Sequence, residues 1–180
     1  METTDKKVNP FWGNIFKSLY NADELNLFKI LKRIPLFKDL SKRELRKVAN
    51  ILHERNYQVN EYVFQMHQPG AAMFIIKTGK IKILYESDTE DDIELAVLGE
   101  GDFLGELALL DNSPRSASAM AMEKTEMLAI FRADLDKLLM TEPGIGAKII
   151  RQLAVVIGLR LKATNEQLSK INTEAARENV

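Results

Sequence analysis

The apolar residues of this chain change period twice, and that change does most to decide what it can fold into. From about residue 54 to 131 they come in short runs broken by turn residues. Gln68-Pro69-Gly70 and Thr78-Gly79-Lys80 bracket the run Met73-Phe74-Ile75-Ile76. Ile81, Ile83 and Tyr85 alternate, as do Ile93, Leu95 and Val97, and later Ala117, Ala119 and Ala121. Met127-Leu128-Ala129-Ile130-Phe131 forms a further run, and the acidic Glu86-Ser87-Asp88-Thr89-Glu90-Asp91-Asp92 reads as a solvated hairpin tip. Successive side chains of a strand point to opposite faces, so alternation buries one face. Short strands with this punctuation close into an antiparallel barrel or roll, not a parallel α/β sheet.

On either side the period is helical. Residues 10–34 read as short helices, with Leu27, Ile30, Leu31 and Ile34 on one face. Ser41-Lys42-Arg43-Glu44 is a capping box ahead of Leu45, Val48, Ala49 and Leu52. Leu135, Leu138 and Leu139 mark a short helix after Phe131, and Thr141 to Pro143 a new start, with proline tolerated in the first turn. From there helix extends to about residue 173. Ile150, Leu153, Ile157, Leu161, Thr164, Leu168 and Ile171 step by threes and fours along it, a seam for a partner helix. The alternative is a helix lying on its own roll. A helix of this length outruns what residues 54–131 can cover, which favours the partner.

Composition narrows the chemistry. Hydrophobic residues make up 46% of the 180, enough for a real core. There is no cysteine, so disulfides, thiolate zinc sites and iron–sulfur clusters are excluded. His53 and His67 are the two histidines, which leaves little for a metal site. A net charge of −1 argues against a general nucleic-acid binder. The mixed-charge start lacks the apolar run of a signal peptide, and no stretch approaches the roughly 20 apolar residues that span a bilayer. A cytoplasmic protein is expected.

One stretch carries chemistry. Gly99-Glu100-Gly101-Asp102-Phe103-Leu104-Gly105 spaces its glycines G-x-G-x-x-x-G, one residue too long for a dinucleotide fingerprint, and no P-loop lysine follows. It suits a smaller phosphate. Gly105 removes a side chain where a short helix begins, so the N–H groups of Glu106, Leu107 and Ala108 can face an anion. Arg115, just beyond Pro114, offers a planar fork for two phosphate oxygens. Glu106 would repel a phosphate and so needs a donor, which a ribose 2′-hydroxyl supplies. Together they describe a ribose-phosphate site.

Gly101-Asp102-Phe103-Leu104-Gly105-Glu106-Leu107-Ala108-Leu109-Leu110 and Ser113-Pro114-Arg115-Ser116-Ala117-Ser118 resemble the phosphate-binding cassette of the cyclic nucleotide-binding domain family. That family includes catabolite activator-like proteins and regulatory subunits of cyclic AMP-dependent kinase, and the resemblance covers about residues 35–173. It implies an α+β fold, an antiparallel β-roll (a jelly-roll-like double-stranded β-helix) with N-terminal helices and a long C-terminal helix. The expected division is an N-terminal helical segment 1–34, a roll 35–142, a dimerisation helix 143–173 and a tail 174–180. By the same resemblance, Glu106 binds the ribose 2′-hydroxyl and Arg115 the cyclic phosphate. Gly105, Leu107, Ala108 and Ala117 line the sugar-phosphate, and Ser116 adds a hydroxyl. Thr164 matches the first member of a Thr-Ser pair that reads adenine across the family's dimer, and Asn165 replaces the serine. Cyclic AMP is the expected ligand. Ser116 stands where a threonine favours guanine, which keeps cyclic GMP as an alternative.

No nucleophile elbow, H-E-x-x-H or carboxylate pair in a motif context is present, so neither catalysis nor a bound cofactor is expected. The chain reads as a stand-alone bacterial-type member without a DNA-binding domain. It would form a homodimer through its long helix and signal through an unidentified effector protein or dimer rearrangement. A ligand-independent interaction module of the same fold is the rival. The aromatics Phe11, Trp12, Phe16 and Tyr20 are assigned to packing rather than to a membrane surface, since Lys17 alone gives little electrostatic help.

Overall fold

A computed structural model describes residues 27–87 and 92–178. The aromatic segment 11–20 and most of the hairpin tip lie outside the described residues. Eight strands form the body: β1 (His53–Tyr57), β2 (Tyr62–Phe64), β3 (Ala72–Thr78), β4 (Ile81–Tyr85), β5 (Ile93–Leu98), β6 (Phe103–Leu104), β7 (Ser118–Ala121) and β8 (Thr125–Phe131). They pair antiparallel in two sheets of order β1-β8-β3-β6 and β2-β7-β4-β5. This is the β-roll of the expected α+β class.

The unbroken run in β3 has a physical reason. Phe74 and Ile76 pack between the sheets with Ile81, Ala119, Ala121 and Met127, whereas Met73 and Ile75 face the helices. A strand buried on both faces reads as a continuous apolar run. On β5 the outcome differs from a simple alternating strand with a buried apolar face. Ile93, Leu95 and Val97 are about half exposed, while Ala96 and Leu98 line a cavity. A bulge in the β4–β5 register accompanies this: Ile83 pairs with Ala96 but Leu84 with Glu94.

Four helices cover the first sheet: α1 (27–33), α2 (Lys42–Ala49), α3 (Arg132–Thr141) and α4 (Pro143–Glu178), with a 3-10 turn at Pro35–Phe37. Both bonds of the capping box form, Glu44 N–H to Ser41 Oγ at 3.3 Å and Ser41 N–H to Glu44 Oε2 at 2.7 Å. Ile145, Ile149, Leu153 and Val156 of α4 are buried in one core with Leu31, Ile34 and Phe37. At about 1.5–3 kcal/mol for each fully buried side chain, this face fixes the first half of α4. Lys148 to Glu44 (2.7 Å) and Gln152 to Asp39 add polar links along the same half, and Lys47 to Glu142 adds one just ahead of it.

The second half of α4 behaves differently, and two expectations change. The helix continues to Glu178, so residues 174–178 extend it instead of forming a tail. The seam also divides. Leu153 is fully buried within its own chain, and Ile150 and Ile157 pack against the same core, whereas Leu161 and Leu168 are 60% and 53% exposed.

Candidate functional site

Gly105 adopts φ +72 and opens a single 3-10 turn, Glu106–Leu109. The left-handed conformation favours glycine, and space demands it too. A Cβ here would lie 2.5 Å from Arg115 Nη1 and 3.3 Å from the Ala72 carbonyl. The first N–H groups of a helical turn have no partner within it. Ala108 departs from the expected donor set, because its N–H bonds the Gly105 carbonyl at 3.2 Å.

Arg115 is 8% exposed, and its guanidinium is held from three sides. Nη2 donates to the Ala72 carbonyl at 2.7 Å, Nη1 to the Gly105 carbonyl at 3.3 Å, and the Phe64 ring lies 4.0 Å beneath it. Nε is buried with no partner among the described residues. Burial draws this guanidinium below its ordinary value, while Glu106 and Tyr57 act in the opposite sense. The result is an oriented cation with donor capacity left over, the chemistry an anion requires.

Gly70 makes that geometry possible. A Cβ there would meet the Ala108 Cβ at 2.9 Å and Arg115 Nε at 3.4 Å. Read in sequence, Gly70 is a turn residue; its closeness to the cassette comes only from the fold.

Glu106 is 5% exposed and is matched by a residue that sequence reasoning missed. Arg160 of α4 places Nη1 2.7 Å from Glu106 Oε1, donates from Nη2 to the Phe103 carbonyl at 3.1 Å, and lies 4.9 Å from the Phe103 ring. The available signal was its position four residues, one helical turn, before Thr164.

Gly105, Glu106, Leu107, Ala108, Arg115, Ser116 and Ala117 all line one cavity of about 520 Å³, with Arg160 at its side. Apolar Phe64, Ile83, Ala96 and Leu98 line it as well, with Phe64 directly against the Arg115 guanidinium. Charged groups and apolar lining in one cavity suit a ligand with an anionic end and a flat apolar body. Thr164 and Asn165 are exposed and do not line this cavity. Thr164 instead donates its hydroxyl to the Arg160 carbonyl at 3.0 Å, one turn back along α4.

A family model described as the cyclic nucleotide-binding domain matches residues 54–142. The cyclic AMP receptor protein of Thermus thermophilus is 32% identical over 150 residues, covering 83% of this chain and 68% of that protein. A putative potassium channel protein of Rhodopseudomonas palustris is 33% identical over 131 residues, 73% of this chain and 31% of that protein. The crystal structure of the Thermus thermophilus catabolite activator protein superposes with a TM-score of 0.70 at 31% identity, covering 77% of this chain and 63% of that one. The chain belongs to the cyclic nucleotide-binding domain family.

Proposed function

We propose that this protein is a cyclic AMP receptor that binds the nucleotide without turning it over and acts through a dimer or an effector protein. The observation that carries the proposal is the pairing of two buried, oppositely charged side chains, Glu106 and Arg115, on one cavity wall. Arg115 would hold the cyclic phosphate, with its unpartnered Nε and the amides of Glu106 and Leu107 as further donors. Glu106 would accept from the ribose 2′-hydroxyl, and Ser116 would add a hydroxyl at the phosphate. The apolar lining takes the purine face and offers no base-specific bond, so base identity falls to α4.

Thr164 favours adenine on chemical grounds. Its hydroxyl proton is committed to the Arg160 carbonyl, which leaves the oxygen as an acceptor. Adenine presents an amino group at its 6-position, whereas guanine presents an oxygen there. Asn165 would reach the same edge in a dimer. The resemblance to a cyclic AMP receptor protein supports the same choice. A cytoplasmic location is part of this proposal; no helix among the described residues is long and apolar enough to cross a membrane.

Calorimetry with cyclic AMP and cyclic GMP tests the reading. One site per chain is expected, with cyclic AMP tighter. Arg115→Leu and Glu106→Ala each remove a charge-assisted bond of about 1.5–3 kcal/mol and should weaken binding roughly ten- to a hundredfold. Unchanged affinity in either variant would remove the proposed role, and tighter cyclic GMP binding would reverse the choice of nucleotide. Conversion of cyclic AMP to AMP would make the protein an enzyme.

A further inference from the structure

His67 has φ +66, a left-handed conformation that costs most residues energy and costs glycine little. Its ring is exposed and has no side-chain partner among the described residues. The backbone explains the conformation. His67 N–H donates to the Arg115 carbonyl at 2.9 Å, and Arg115 N–H donates to the Gln68 carbonyl at 2.8 Å. Two successive residues on one strand thus oppose a single residue on the other, with the first of the two left-handed. This is a G1 β-bulge, whose first position is ordinarily glycine. The turn closes from Gln68 N–H to the Gln65 carbonyl at 3.3 Å, and a bridge between Pro69 and Pro114 continues the pairing.

We infer that His67 is a positioning residue for the ligand site, acting through its backbone and not its imidazole. The bulge is the direct main-chain tether of Arg115, the residue assigned to the phosphate in the proposed function, on which this inference rests. The backbone carbonyls of Ala72 and Gly105 fix the guanidinium, and the bulge fixes the backbone from which it extends. A residue that resists the left-handed conformation would let the turn relax in the free protein. Binding would then have to restore it, which lowers affinity without removing any ligand contact.

The test is a series at one position: His67→Gly, His67→Asn and His67→Val. Glycine and asparagine accept positive φ, and valine, being β-branched, resists it. Two readouts are taken on folded protein, judged by its thermal transition. One is the Arg115 Nε–H resonance in the ligand-free chain, and the other is calorimetric affinity for cyclic AMP. Glycine and asparagine should keep the resonance and bind at least as tightly as the parent or within about twofold. Valine should shift the resonance and weaken binding roughly five- to thirtyfold.

Equal damage from glycine and valine would place the role in the imidazole and overturn the inference. So would a valine variant with unchanged resonance and affinity. If His67→Val does not fold, His67→Ala takes its place with the same direction expected. Should the parent bind neither cyclic AMP nor cyclic GMP, the nucleotide reading fails, yet the resonance series still decides what His67 does.

Discussion

Arg160 Nη1 lies 2.7 Å from Glu106 Oε1, joining the long helix α4 to the cassette across an ion pair whose acid is 7% exposed and whose base is 47% exposed. The asymmetry sets the energetics. Removing Arg160 leaves a buried carboxylate without its cation, whereas removing both charges leaves little behind. Arg160→Met should lower ligand-free stability by about 1–2 kcal/mol, a figure reduced for the solvent on the arginine side. That corresponds to a fall in Tm of several degrees for a chain of this size. Adding Glu106→Gln to the same protein should restore most of it. Thermal unfolding of the two single variants and the double variant completes the cycle.

Gly105 carries a steric requirement as well as a conformational one. Alanine would bring strain at φ +72 and a Cβ 2.5 Å from Arg115 Nη1. The arginine must swing away or the turn must open. Gly105→Ala should therefore weaken cyclic AMP by more than tenfold and lower Tm. Alanine at Gly99 or Gly101, whose added Cβ would meet nothing within 4 Å, isolates the steric part. Gly101→Ala, at φ +86, carries the conformational strain without the clash, so the excess loss at Gly105 is the steric part, and Gly99→Ala is the baseline with neither. Calorimetry beside thermal melts separates Gly105 from these controls.

What could be read from the sequence follows from how local each cause is. The cassette is contiguous, so the approach of Gly105, Glu106 and Arg115 to one cavity could be anticipated from spacing and side-chain chemistry. The double burial of β3 was likewise written as an uninterrupted apolar run. Arg160 was hidden because its partner lies on a distant element and its own neighbours, Leu159 and Leu161, mark the helix only as amphipathic. The exposure of Ile93, Leu95 and Val97 was hidden for another reason. Alternation identifies a strand, but on the edge strand β5 the small Ala96 and Leu98 turn to the cavity, and a bulge interrupts the register. The division of the α4 seam was equally out of reach, since burial of Leu153 depends on where α1 and Phe37 come to lie.

Glu44 connects acid stability to the seating of α4. Its bond to Lys148, and then those to Ser41, hold its carboxyl at about 2 against an ordinary 4.5. A depressed folded-state value contributes stability that is fully present above pH 4.5 and is lost as pH falls toward 2. Glu44→Gln should flatten the acid limb of the stability profile within that window and leave it unchanged near neutrality except for a constant offset. Denaturant melts from pH 2 to 7 on parent and variant check the shape, and an unaltered acid limb would free Glu44 of this role.

Thr164 offers a test of base reading that spares the phosphate site. Thr164→Val keeps the shape of the side chain and removes the acceptor. The expected loss is one neutral hydrogen bond, about 0.5–1.5 kcal/mol, or roughly two- to twelvefold in cyclic AMP affinity. Cyclic GMP, with no amino group at that position, should bind as before. A parallel loss for both nucleotides would mean that Thr164 supports the helix and does not read the base.

The exposed half of α4 bears on assembly. Leu161 and Leu168 are 60% and 53% exposed, with Thr164 between them, on a helix that leaves its own core after Ile157. Two such helices packed along this stripe would cover the leucines and bring each chain's Thr164 and Asn165 toward its partner. Leu161→Glu with Leu168→Glu places four like charges across that seam and should convert a dimer to a monomer in sedimentation. Binding to the cassette should persist, because neither leucine lines the cavity, while the preference for cyclic AMP over cyclic GMP should shrink. A parent chain that sediments as a monomer at tens of micromolar would remove the paired helix, and base reading would then have to be achieved within one chain.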